Sequence, residues 1–280
     1  MIVVTGATGN VGRVLVESLT GAGHAVTAVS RGVSSPPPSL PGVAPMVADL
    51  ADAASLAPAL KGADALFLLV SGAGAHVDGE AVLRAAADAG VSRIVLQSSQ
   101  AAGTRPEAVS HAPLAALEET VRSSGLEWTV LRPAGFTTNS FAWIPSIRAQ
   151  RTVFSPFGDV ALPAVDPLDI AEAAAAALTD AGHAGRTYVL TGPAATSPRQ
   201  RAEILGAALG EPLEFVELDR ARAREQMLRQ MPEPVADGTL DILGQPLPDE
   251  LRVSPDVEKV LGRPATSFAS WASRSVDAFR

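Results

Sequence analysis

The sequence predicts an α/β fold, a doubly wound parallel sheet with a smaller, mostly helical C-terminal lobe. Three observations carry this. Short apolar runs alternate with stretches of helical periodicity through the first 130 residues, and that alternation builds a parallel sheet covered on both faces. A glycine-rich turn, Gly6-Ala7-Thr8-Gly9-Asn10-Val11-Gly12, separates the first run from the first helical stretch. The length of 280 residues, 47% of them hydrophobic, suffices for one such sheet and a lobe.

The first strand is Met1–Thr5. Val11, Val14, Leu15 and Leu19 then recur at spacings of three and four, one face of a helix that Gly21-Ala22-Gly23 stops. Ala25–Ser30 is the second strand, and Pro36-Pro37-Pro38 marks a loop. Val43–Ala48 is the third, with Asp49 just past its end, and Ala65–Val70 the fourth. A helix over Gly79–Ala89 leads to the fifth strand, Arg93–Gln97, followed by Ser98-Ser99. A helix over Leu114–Ser123 leads to the sixth, Trp128–Leu131. Beyond Arg132-Pro133 the pattern loosens, and Phe136, Phe141, Trp143, Phe154 and Phe157 fall close together. Helix returns over Asp166–Leu178, with Asp166 and Asp169 at its start and Asp169 as the cap. Strand returns over Thr187–Leu190, and residues 193–280 read as helices broken by prolines. The expected division is a nucleotide domain over 1–132, completed by 160–192, and a substrate lobe from 133–159 and 193–280.

Composition removes several functions. Lys+Arg is 22 against Asp+Glu 30, a net charge of -8; such a surface repels phosphate backbones, so no nucleic-acid partner is expected. There is no cysteine, which removes disulfides, thiolate nucleophiles and cysteine-ligated metal; with four scattered histidines, no metal site is expected. No apolar run approaches the roughly 20 residues of a membrane span, nor the h-region of a signal peptide. The expectation is a cytoplasmic protein without a membrane partner, monomeric or homodimeric.

The glycine turn has the spacing G-x-x-G-x-x-G. Gly6 permits the turn off the strand, Gly9 lets the backbone approach a pyrophosphate, and Gly12 lets the helix pack close to the sheet. The helix N-terminus then offers N–H groups to the anion. This is the dinucleotide-binding turn of a Rossmann-type sheet. The second strand ends without the acidic residue that holds a ribose 2′-hydroxyl; Arg31 stands there instead, which favours a 2′-phosphate and hence NADP(H). Asp49 is placed to meet the adenine amino group. Candidate cofactor contacts at the same strand ends are Gly6, Thr8, Gly9, Asn10, Val11, Gly12, Arg31, Asp49, Leu50, Val70, Ser71 and Ser98.

TGATGNVG at 5–12, VADL at 47–50, RIVLQSS at 93–99, SSGLEWTVLRPAGF at 123–136, AVDPLDIAEA at 164–173 and TYVLTGP at 187–193 together resemble the NmrA-like group of atypical short-chain dehydrogenases/reductases. That group includes quinone reductases, triphenylmethane-dye reductases, polyketide-tailoring reductases and non-catalytic redox sensors. The resemblance runs well through residue 193 and loosely beyond it. It implies that Pro133, Ala134 and Phe136 pass beside the nicotinamide, that Phe136 and Asn139 border the substrate, and that a serine after the fifth strand, Ser99, meets the substrate carbonyl. The catalytic Tyr-x-x-x-Lys of related dehydrogenases is lost: alignment on Glu118 puts Ser110 and Leu114 at those positions. The single tyrosine, Tyr188, lies inside a strand.

The missing acid points to an acceptor class. Hydride addition to a simple ketone builds an alkoxide, whose conjugate acid lies near the ~16 of water; hydride addition to a quinone builds a phenolate-like anion near ~10. Only the first demands a positioned strong acid. We therefore expect an NADPH-dependent reductase of a quinone or polycyclic aromatic, with the reduction serving in one variant an O2-dependent hydroxylation in antibiotic tailoring. His111 is the candidate proton donor, and His76, Phe136, Asn139, Phe141 and Trp143 are candidate substrate contacts. The same losses fit an alternative, a non-catalytic NADP(H) sensor. A nucleotide-sugar epimerase needs the missing tyrosine and is disfavoured.

Overall fold

The computed structural model describes residues 1–32, 40–70, 72 and 74–280; the proline loop and Ser71 lie outside them. Seven parallel strands, β1 (Ile2–Thr5), β2 (Val26–Ser30), β3 (Val43–Val47), β4 (Ala65–Leu69), β5 (Arg93–Gln97), β6 (Glu127–Pro133) and β8 (Arg186–Leu190), form one sheet in the order β3-β2-β1-β4-β5-β6-β8. The order reverses at β1, so the carboxyl ends of β1, β2 and β4 diverge around the glycine turn and open a crevice there. β1 is buried at every residue because both faces are covered. β3 carries Pro45 and is largely exposed; a residue without an N–H is tolerated because this is an edge strand.

Helices Gly12–Gly21 and Pro167–Thr179 cover one face with Leu15, Leu19, Ile170 and Ala174. Helices Gly79–Asp88 and Ala112–Arg122 cover the other with Val82, Leu83, Leu117 and Val121. A third apolar cluster, centred on Ile147, Leu205, Phe268, Trp271 and Phe279, belongs to the C-terminal lobe. The last strand pair departs from the expectation of helices alone: β7 (Thr152–Pro156) pairs in parallel with β9 (Glu214–Leu218). Both are five residues long, too short for their alternation to stand out from the surrounding helical periodicity.

Two carboxylates on Pro167–Thr179 tie down the chain's end. Asp166, not Asp169, caps this helix by accepting from Leu168 N at 3.0 Å, and it also accepts from Arg274 at 2.5 Å. Asp169 is wholly buried and accepts from Arg263, from Thr266 N and from Thr266 Oγ1 at 2.7–2.9 Å. No described helix is long and apolar enough to cross a membrane.

Candidate active site

The glycine turn is built as its spacing requires. Gly6 has φ +64°, a left-handed conformation that costs a residue with a Cβ. A Cβ on Gly12 would run into the Gly6 carbonyl oxygen, so only glycine lets the first helix start this close to the strand. Gly9 N donates back to Gly6 O at 3.0 Å, and Arg13 N to Gly9 O at 3.1 Å. The Asn10 and Val11 N–H groups take no backbone acceptor outside the helix, so they remain available at the helix start. Asn10 Nδ2 donates to Thr138 Oγ1 at 3.3 Å, fastening the turn to the segment after β6.

Beside this turn lies a cleft of about 200 Å³ lined by Thr8, Gly9, Arg31, Asp49, Leu50 and His76 among others. The fold thus brings together residues from the ends of β1, β2, β3 and β4. Arg31 is exposed and makes no ion pair among the described residues. Asp49 Oδ1 accepts from Ala51 N at 3.0 Å, which fixes the carboxylate at the rim. A cradle that a Cβ would block and free N–H groups complement a pyrophosphate, and one strand away Arg31, with no ion pair among the described residues, offers a guanidinium to a further anionic group. Val70 is buried at the end of β4. Pro133 and Ala134 are buried at the end of β6, where Ala134 N donates to Leu190 O and Thr137 N to Val165 O, both at 2.9 Å.

The other side of the edge is a seam between the sheet domain and the lobe. Ser110 Oγ and His111 Nδ1 are 2.9 Å apart. Burial pushes the His111 imidazole below its ordinary value, Glu250 opposes this and Arg105 reinforces it. The helix Glu233–Gly244 lies on this pair: a Cβ on Gly238 would collide with Ser110 Oγ. Arg105 clasps the lobe through both oxygens of Glu250, at 2.8 and 2.9 Å, and through Gln245 O at 2.8 Å. Thr104 Oγ1 adds a bond to Glu250 at 2.8 Å, and Gln100 Nε2 one to Asp249 O at 3.0 Å. Burial raises the Glu250 carboxyl, but the bonds from Arg105, Leu247 N and Thr104 outweigh it and hold it below the usual range.

Several expected site residues stand elsewhere. Ser98 is buried and its hydroxyl donates to Glu118 Oε1 at 2.6 Å. Glu118 is wholly buried and also receives Arg132 through Nε and Nη2 and Arg122 through Nη2. Burial raises this carboxyl too, and the bonds from Arg132, Ser98 and Arg122 bring it below the usual range. Ser99 Oγ accepts from Ala101 N at 3.2 Å and caps the short helix Gln100–Thr104, and its O–H remains free to donate. His76 lines the cofactor cleft, not the seam. Phe141 packs on Trp271 and Phe279, with centroids 5.3 and 5.8 Å apart, and Trp143 packs on the same cluster. Both rings are partly buried against this lobe cluster; the aromatic spacing in sequence does not say which face the segment turns inward. Phe136 packs against the core beside Val165, and Asn139 is exposed one turn later. Leu114 fills the lost lysine position as a buried side chain against Gly74.

A family model described as NAD(P)H-binding matches residues 6–181. Over 282 residues the chain is 38% identical to a (4-alkanoyl-5-oxo-2,5-dihydrofuran-3-yl)methyl phosphate reductase of Streptomyces griseus, covering 100% of this chain and 99% of that one. The chain belongs to the NmrA-like atypical short-chain dehydrogenases/reductases. It is 32% identical over 283 residues to an NAD(P)H azoreductase of Xenophilus azovorans, covering 100% and 99% of the two chains. Its structure is similar to that of an NADPH-dependent quinone oxidoreductase of Escherichia coli complexed with NADPH, with a TM-score of 0.78, 27% identity and coverage of 98% and 99%. The chain is an NAD(P)H-dependent reductase, and NAD(P)H is the group that supplies hydride when bound.

Proposed function

We propose that this reductase transfers hydride to a conjugated, electron-poor acceptor, a quinone or polycyclic aromatic or an alkene activated by two carbonyl groups, and leaves a delocalised anion. The observation that carries the reading is the state of the seam. Its strong ionisable groups are already paired: Glu250 with Arg105, and Glu118 with Arg132 and Arg122. What remains is a hydroxyl and an imidazole that burial disposes against charge, Ser110 and His111. Such groups protonate a stabilised anion late; they do not drive reduction of an unactivated ketone. The names of the relatives agree in kind. One acts on a dihydrofuranone whose ring double bond is conjugated with two carbonyls, and the others on azo compounds and quinones.

In this reading the residues of 133–159 and 193–280 cover the acceptor, with the helix Glu233–Gly244 closing over His111 and the Arg105–Glu250 clasp holding it there. His111 passes a solvent proton to the reduced acceptor. Phe136 and Asn139 border the ring, and a hydroquinone product reacting with O2 extends the chemistry to a hydroxylation. Single-turnover oxidation of NADPH against matched panels of quinones, doubly activated alkenes and simple ketones tests it. The expected result is turnover of the first two panels. Reduction of simple ketones with no activity on the other panels overturns it.

A further inference from the structure

Among the described residues two buried side-chain atoms have no hydrogen-bond partner, Gln97 Oε1 and Thr137 Oγ1. An unpaired buried carbonyl is rare in folded proteins, because its lost hydration is not replaced. Gln97 is the last residue of β5. Its partners in register are Leu69 on β4 and Leu131 on β6, so the three side chains leave the sheet on one face. Leu69 lines the cofactor cleft and stands 2.9 Å from where a Cβ of Gly6 would be. Gln97 stands one strand beyond Leu69 on the same face of the sheet edge.

The span of the cofactor fixes what reaches that point. With its pyrophosphate on the turn after β1, the adenylate half would reach the ends of β2 and β3, where Arg31, Asp49 and Leu50 stand. That is two strands, about 10 Å at the usual strand spacing. The other half has a similar length. Laid in the opposite direction it crosses β4 and ends at β5, where the orphaned carbonyl lies. On the neighbouring β6 side, the Gly135 and Phe136 N–H groups take no backbone acceptor. The two strand ends thus present an acceptor and donors side by side, the complement of a primary carboxamide.

We propose that Gln97 positions the nicotinamide ring, its Oε1 accepting from the carboxamide N–H2. Holding the carboxamide fixes the ring's rotation and hence which face is turned toward the acceptor. Gln97 is a positioning residue here, with no part in the proton's path. Calorimetry on the full chain with three ligands tests it: NADP+, its 3-acetylpyridine analogue, which lacks the N–H2 donor, and 2′,5′-ADP, which lacks the nicotinamide half. The wild-type chain should bind NADP+ about tenfold tighter than the acetylpyridine analogue, the scale of one hydrogen bond. Gln97→Leu, which matches its neighbours Leu69 and Leu131, should weaken NADP+ by about tenfold, erase that preference and leave 2′,5′-ADP unchanged. Gln97→Glu, which keeps an acceptor, should retain the preference. Equal wild-type affinity for NADP+ and the analogue overturns the proposal, as does a Gln97→Leu chain that binds NADP+ normally or loses 2′,5′-ADP to the same extent.

Discussion

The two halves of the sheet's carboxyl edge use polar groups in opposite ways. Around β1, β2 and β3 they are exposed and open: Thr8, Asn10 and Arg31 face solvent, and Arg31 has no carboxylate partner among the described residues. Around β5, β6 and the lobe they are buried and spent on each other, in Glu118 with Arg132, Arg122 and Ser98, and Glu250 with Arg105 and Thr104. Open groups are what an anionic cofactor requires. Saturated groups hold the seam together, and in the proposed reading the acceptor carries its own charge stabilisation. One edge is organised to bind and the other to hold shape around a weakly acidic pocket.

Breaking the saturated half should have the largest effect. Glu118→Ala strands Arg132 and Arg122 beside a buried hole, and losing one partner of a buried pair costs about 3–5 kcal/mol; urea unfolding should show a loss of that size. Both Glu118 and Glu250 have folded values below their ordinary 4.5. Their stabilisation is therefore whole above about pH 4.5 and is lost as pH falls through the folded values. Glu118→Gln and Glu250→Gln should each flatten the acid limb of stability measured between pH 3 and 6.

Gly12→Ala attacks the open half at its one rigid point. The new methyl meets the Gly6 backbone, so overpacking should cost about 1–3 kcal/mol, and NADPH affinity should drop by about 100-fold or more by fluorescence titration. Arg31→Ala leaves the backbone intact and removes one charge-assisted contact. It should weaken NADPH by about 10- to 100-fold while leaving NADH within about twofold; equal loss for both cofactors removes the 2′-phosphate role. His111→Asn is the smallest change. The rate on a quinone should fall by about tenfold, less than the 10²–10⁴ of an indispensable acid, with NADPH binding unchanged.

The open half was legible because its chemistry is local. Gly6, Gly9, Gly12, Arg31 and Asp49 are found by counting along a strand–turn–helix unit, and the sheet around them follows from runs such as Ile2–Thr5 and Ala65–Leu69. The saturated half was not. Glu250 and Arg105 are 145 residues apart, and Asp169 and Thr266 are 97 apart; no spacing rule joins them. Ser98 and Ser99 illustrate the difficulty at single-residue scale. Both sit at the expected strand end, but pleat and helix capping turn one toward Glu118 and the other onto Ala101. Phe141 and Trp143 read as a flat pocket and lie half-buried against the lobe cluster, since composition does not fix which face of a segment is buried. For Gln97 the sequence offers only a polar residue at the end of the fifth strand, a nearby alternative to Ser98 and Ser99; that its carbonyl is orphaned is defined by what surrounds it.

The account rests on the acceptor leaving as a stabilised anion, and one series tests that directly. Single-turnover hydride transfer from NADPH is measured across substituted acceptors whose reduced anions span conjugate-acid values from a phenol-like ~10 to an alkoxide-like ~16. The prediction is a rate that falls steadily along the series and is lost at the simple ketones. A rate that does not depend on anion stability, with simple ketones reduced as fast as quinones, contradicts it.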